Sequence, residues 1–127
     1  MILDRPLENV PARALYALHR GIEKQTGLIT MALVDNSGRV CATGSLSRNG
    51  LFGKGLICVL NELGLVDSNI YYRDSCRCMV EGLNDGFKGT PEERREFMLR
   101  HIVNELRERG KSIDGKAAEK ELSQVSI

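Results

Sequence analysis

Apolar positions along this chain keep a helical rhythm at both ends and change to a run of apolar residues near the middle. Leu15, Leu18 and Ile22 recur at i, i+3 and i+7, with Ala14 and Ala17 beside them. Pro11 suits a first helical turn, where its missing amide hydrogen has no partner to lose, and Gly27 is a stop. The spacing predicts a helix over about 11–25, behind an extended lead-in over 1–10. A second rhythm, Leu99, Ile102, Val103 and Leu106, predicts a helix over about 91–109. Its start is the clearest local signal in the chain. Thr90 can cap the helix, Pro91 fits its first turn, and Glu93 stands three residues after Thr90, completing a capping box. Glu92 adds negative charge where the helix dipole is positive, and Gly110 ends the element.

Between these helices the rhythm changes. Residues 28–34, Leu-Ile-Thr-Met-Ala-Leu-Val, form an apolar, partly β-branched run. Asp35-Asn36-Ser37-Gly38 is a strong turn string, and residues 39–44 read as a return strand. The expectation is a hairpin, and because two strands alone are marginal, it must lie against helices. Ser45 to Gly50 reads as a polar connector. Leu56, Ile57, Val59, Leu60 and Leu63 then mark a third element over about 51–63, weakened by Gly53 and Gly55 and closed by Gly64. Residues 65–74, with Tyr71 and Tyr72, read as a loop. Ser75 suits the cap of a short helix through Cys76, Met79, Val80 and Leu83, and Asn84-Asp85-Gly86 reads as a turn after it. Asp114 to Leu122 is compatible with a last short helix. The fold class expected is α+β: three to five helices packed on a central β-hairpin or small antiparallel sheet. One domain is expected over 1–127, with about 111–127 as a flexible C-terminal extension.

Composition adds limits. A length of 127 residues is enough to bury a core without disulfides or metal. Tryptophan is absent and aromatic residues make up 5%, so the core must be aliphatic. A formal charge of +1 gives no electrostatic case for nucleic acid. The basic set Arg94, Arg95, Arg100, Arg107 and Arg109 is interleaved with Glu92, Glu93, Glu96, Glu105 and Glu108, the pattern of a solvated helix face. No apolar run reaches membrane-spanning length, so no membrane partner is expected. The opening residues lack the basic-then-apolar order of a secretory leader. The cytoplasm is the expected compartment, with Cys41, Cys58, Cys76 and Cys78 reduced.

Chemistry is sparse. Cys76-Arg77-Cys78 with Cys41, Cys58 or His101 offers soft ligands, but without the paired spacing of a structural zinc site, so no metal and no cofactor is expected. Cys76 lies near Arg73 and Arg77, and His19 and His101 are available as bases, yet nothing in the order of residues joins a thiol to a base. Asn49 to Gly55 is glycine-rich but lacks phosphate-loop spacing. Asn84 and Asp85 are short polar residues suited to satisfying backbone amides where the chain reverses. With no coherent catalytic set, the function expected is non-enzymatic: an accessory protein that binds a protein partner or forms a homo-oligomer. The alternative is a small-ligand or nucleotide-binding protein, or a small enzyme, using Arg73, Arg77, Asn84 and Asp85.

Three stretches also resemble a known family in their order and spacing. They are Gly38-Arg39-Val40-Cys41-Ala42-Thr43-Gly44-Ser45-Leu46, then Leu83-Asn84-Asp85, then the helix start at Thr90 and Glu93. Together, over about Leu15 to Leu106, they resemble the DUF6197 family of small bacterial and phage proteins. That family tends to have tryptophan where Leu28 and Leu83 stand here. Its activity is not established, so the resemblance implies a bacterial or phage setting and no particular reaction.

Overall fold

The computed structural model describes residues 5–46, 56–65 and 76–123. Five α-helices run through them: α1 (Ala12–Glu23), α2 (Leu56–Glu62), α3 (Cys76–Gly86), α4 (Pro91–Glu108) and α5 (Gly115–Leu122), with a single 3-10 turn at Gly44–Leu46. No strand occurs among the described residues, where the only β feature is one antiparallel bridge between Val34 and Val40. The α+β expectation is therefore corrected: the described residues form a helical fold without a sheet. The turn at 35–38 is nonetheless present. Asp35 Oδ1 accepts from the amides of Ser37 and Arg39, and the Asp35 amide donates to the Arg39 carbonyl. Either side of that turn the two limbs keep a few backbone bonds, Ile29 amide to Val40 carbonyl and Cys41 amide to Leu33 carbonyl, while the Ala42 amide and the Ile29 and Leu28 carbonyls are taken by side chains of α3 and α4.

Helix α1 is the central element, packing on α4, α5 and the 44–46 turn. Ala14, Leu15, Tyr16, Ala17, Leu18, Gly21 and Ile22 are all buried, so this helix is covered on most of its circumference. At Gly21 a Cβ would fall 2.9 Å from the Ser45 carbonyl oxygen, so only glycine lets the 3-10 turn lie so close. Leu7 and Val10 from the lead-in, Leu28 and Leu46 from the loop, Leu60 and Leu63 from α2, and Met98, Ile102 and Leu106 from α4 complete an aliphatic core. Each such side chain contributes about 1.5–3 kcal/mol when fully buried.

Helix α4 begins as its sequence dictates. The Thr90 hydroxyl accepts from the Glu93 amide at 3.1 Å, and the Glu93 carboxylate accepts from the Thr90 amide at 2.8 Å. The Thr90 amide, together with the Thr90 hydroxyl, holds the Glu93 carboxyl below the usual range. The inward face is rotated from the expected stripe. Arg94, Met98, Ile102, Glu105 and Leu106 are buried, while Leu99 and Val103 are half-buried. Arg94 and Glu105 thus leave the solvated set to which the sequence assigned them. Helix α3 runs through Asn84, Asp85 and Gly86, three residues beyond the end expected for it. Helix α5 is capped by Asp114, whose carboxylate accepts from the Ala117 amide, and it rests on α1. The expected glycine-rich start of the third element and the Tyr71-Tyr72 loop lie outside the described residues.

Candidate functional site

The site is built where the 28–43 loop meets α3 and α4. Asn84 is fully buried near the end of α3. Its Oδ1 accepts from the Ala42 amide at 3.2 Å, and its Nδ2 donates to the Ile29 carbonyl at 3.0 Å and to Asp85 Oδ1 at 2.9 Å. An amide hydrogen on one side and a carbonyl on the other fix the orientation of the carboxamide. One side chain thereby pairs both limbs of the loop.

Arg94 completes the junction from α4. Its guanidinium, in a residue only 8% exposed, donates to the carbonyls of Asn84 (3.1 Å), Leu28 (3.0 Å) and Phe87 (2.9 Å). Two of these are among the carbonyls left unpaired where α3 ends, and a cation is favoured there by the helix dipole. The Arg94 guanidinium also lies 5.9 Å from the Phe87 ring centroid, and Phe87 stacks on Phe97 at 4.5 Å. The Leu28 amide donates to the Pro91 carbonyl. A buried backbone group without a partner is costly, so these bonds fix the path of the loop.

Cys41 lies in the same junction, 5% exposed. Burial pushes its thiol up, against the opposing effect of amide donors from Gly44 and Thr43. A thiol held protonated in this way is a packing group rather than an activated nucleophile. Gly44 marks the tightest approach: a Cβ there would sit 2.0 Å from the Leu33 carbonyl oxygen.

The junction sets what the loop shows to solvent. Met31 is 87% exposed and holds φ at +66°, a left-handed conformation rare for a residue with a side chain. Its amide lies 3.5 Å from Asp85 Oδ1, the oxygen that also accepts from Asn84. Val34, on the same loop, is 48% exposed. The chain therefore presents two apolar side chains outward over a buried polar clamp.

Of the residues singled out from sequence, Asn84 is buried and turned onto backbone groups, whereas Asp85 is exposed beside Met31. Arg73 and the side chain of Arg77 lie outside the described residues. Sequence reasoning missed Arg94 and Met31. Arg94 had a signal, since it stands at i−4 from Met98 and i−8 from Ile102, on the buried face of α4. Met31 had none.

A second feature lies at the other end of α4. Arg5 donates to both oxygens of Glu105, at 3.3 and 2.6 Å, and Arg109 Nε donates to Glu105 Oε2 at 2.8 Å. Burial pushes the Glu105 carboxyl up, but bonds from the two arginines outweigh it and hold the group below the usual range. Arg109 also donates to the carbonyls of Leu7 and Glu8, so this cluster ties the lead-in to α4. It borders a cleft of about 550 Å³ shared with His101, Asn104, Arg107 and Glu108. Burial, with the nearby Arg100 charge, pushes the His101 imidazole down, leaving it neutral at neutral pH. No group of three or more metal-ligating side chains gathers among the described residues. Nor is any helix there long and apolar enough to cross a membrane.

No family model, curated protein or solved structure matches this chain.

Proposed function

We propose that this protein is a small non-enzymatic accessory protein of the cytoplasm that docks a protein partner, or a second copy of itself, through the 28–43 loop. Met31 is the anchoring side chain. The observation that carries this reading is Met31 itself: an apolar side chain 87% exposed, in a strained backbone conformation, above a fully buried carboxamide. Strain of this kind costs on the order of 1–3 kcal/mol and persists only where the surroundings over-determine it. Methionine is adaptable and polarizable, and a preorganised loop avoids the ordering cost of binding. The three stretches that resemble the DUF6197 family also support membership of that family. They supply Ala42, Asn84 and the Thr90–Glu93 cap of the helix that carries Arg94, the parts that hold this loop.

The test is copurification of the full chain and of Met31→Asp, with quantitative mass spectrometry and with sedimentation to read self-association. The expected result is at least a tenfold loss of one associated protein, or of the oligomer, with an unchanged unfolding curve. Identical recovery and an identical oligomeric state in both forms would refute the proposal.

A further inference from the structure

The exposed residue of the 28–43 loop carries a chemistry of its own. A thioether sulfur is open to attack on peroxides, and the product, a sulfoxide, turns a flexible apolar side chain into a polar one. The oxidant must reach the sulfur, and the described methionines differ sharply in that respect. Met31 is 87% exposed, Met79 is half-buried and Met98 is fully buried in the core. The Cys41 thiol at the same junction competes poorly, because it is 5% exposed and burial keeps it protonated.

The loop is held by bonds that do not use the Met31 side chain. Residues 30–32 form an excursion between two fixed points. The Ile29 amide donates to the Val40 carbonyl at 3.0 Å, and the next residue, Cys41, donates its amide to the Leu33 carbonyl at 3.3 Å. The Asn84 carboxamide takes the Ile29 carbonyl from below. A change at the Met31 sulfur therefore alters the surface and leaves these bonds intact.

We propose that Met31 is an oxidation switch on the docking face: hydrogen peroxide converts its thioether to the sulfoxide and thereby releases the associated chain. This inference rests on the docking reading and adds its regulation. In the step, a sulfur lone pair attacks one peroxide oxygen, an S–O bond forms and the O–O bond breaks. The sulfur loses two electrons, the peroxide gains them, and with a proton shift the second oxygen leaves as water. Reduction by a dithiol, catalysed by the methionine sulfoxide reductases, returns the thioether and releases water and a disulfide. The associated chain itself covers the sulfur, so the unbound form is the one that reacts.

The experiment treats the full chain with hydrogen peroxide at pH 7. Peptide mass spectrometry follows each methionine, and copurification and sedimentation read association. Met31 is expected to oxidise at least tenfold faster than Met79 or Met98, with an unchanged unfolding curve. The oxidised chain should lose association at least tenfold, and the two epimer-specific reductases together should restore it. Met31→Leu keeps an apolar anchor without a sulfur, so it should associate as the wild type does and ignore peroxide. Oxidation of Met79 or Met98 at the rate of Met31, full association of the Met31 sulfoxide, or a peroxide-sensitive Met31→Leu would overturn the switch. If Met31→Asp loses its associated chain while the sulfoxide form keeps it, the switch fails and the docking reading stands. If Met31→Asp loses nothing, both fall.

Discussion

Replacing Asn84 tests whether one carboxamide holds the loop. In Asn84→Ala the Ala42 amide and the Ile29 carbonyl both lose their partner. Ala42 is fully buried and feels the whole penalty of an unpaired donor, about 1–3 kcal/mol. Ile29 is half-buried, so water recovers part of its loss. The two together give an expected destabilisation of about 2–4 kcal/mol, a large share of the 5–15 kcal/mol typical of a domain. Asn84→Asp separates hydrogen bonding from shape. It keeps an acceptor for the Ala42 amide but sets a buried negative charge against the Ile29 carbonyl and the Asp85 carboxylate. Breaking the charge balance of a buried site costs about 3–5 kcal/mol, so this variant should be the less stable of the two at pH 7. The introduced carboxyl would bind its proton more readily folded than unfolded. Its penalty therefore fades as the pH falls, and Asn84→Asp should gain on the wild type between about pH 7 and pH 4. Urea unfolding followed by helical circular dichroism measures all three proteins, tryptophan being absent. An alanine variant within ~0.5 kcal/mol of wild type, or an aspartate variant with no recovery in acid, would refute the clamp.

Three further outcomes are expected. Thr90→Ala should cost about 1 kcal/mol in the same assay through loss of the α4 cap, and a neutral result would mean that the cap bonds contribute nothing net. Glu105 has its carboxyl held below the usual range, so its stabilising effect is complete above the unfolded pKa and is lost as the pH falls through the folded one. His101, pushed down, also loses stability on acidification, through about pH 6.5 and below. The acid limb of a stability–pH curve should therefore flatten in Glu105→Gln, and an unchanged limb would show that the Arg5–Glu105–Arg109 cluster is not what titrates. Gly44→Ala should destabilise by at least ~1–3 kcal/mol because its Cβ meets the Leu33 backbone, while Gly82→Ala, with open space around it in α3, should stabilise by about 0.4–1 kcal/mol. Thermal melts of the pair check both signs at once.

The sequence alone determined the local events. The α4 start is legible because Thr90, Pro91 and Glu93 need only their own backbone to make a capping box. The Asp35–Gly38 turn is legible for the same reason, since Asp35 bonds to amides two and four residues away. The α1 stripe was readable because Leu15, Leu18 and Ile22 fall on one buried face at helical spacing while Arg13, His19, Arg20 and Glu23 stay outside it.

Tertiary structure decided what became of the loop. Residues 28–34 and 39–44 carry strand composition, but composition does not say where their backbone groups find partners. Here Asn84 takes the Ala42 amide and the Ile29 carbonyl, and Arg94 takes the Leu28 carbonyl, across 42 to 66 residues of chain. Those bonds, with the Ile29–Val40 and Cys41–Leu33 backbone bonds, fix the loop without a regular ladder, and one bridge is formed among the described residues. The rotation of α4 that buried Arg94 and Glu105 was equally hidden, because a charged side chain reads as solvated until its partners are known. Arg94 is buried because α3 ends beside it with unpaired carbonyls, and Glu105 because Arg5 and Arg109 flank it. Asn84 and Asp85 were legible as short polar residues placed to pair with backbone groups. That one turns inward beneath the loop while the other stays at the surface beside Met31 follows only from the way α3, α4 and the loop pack.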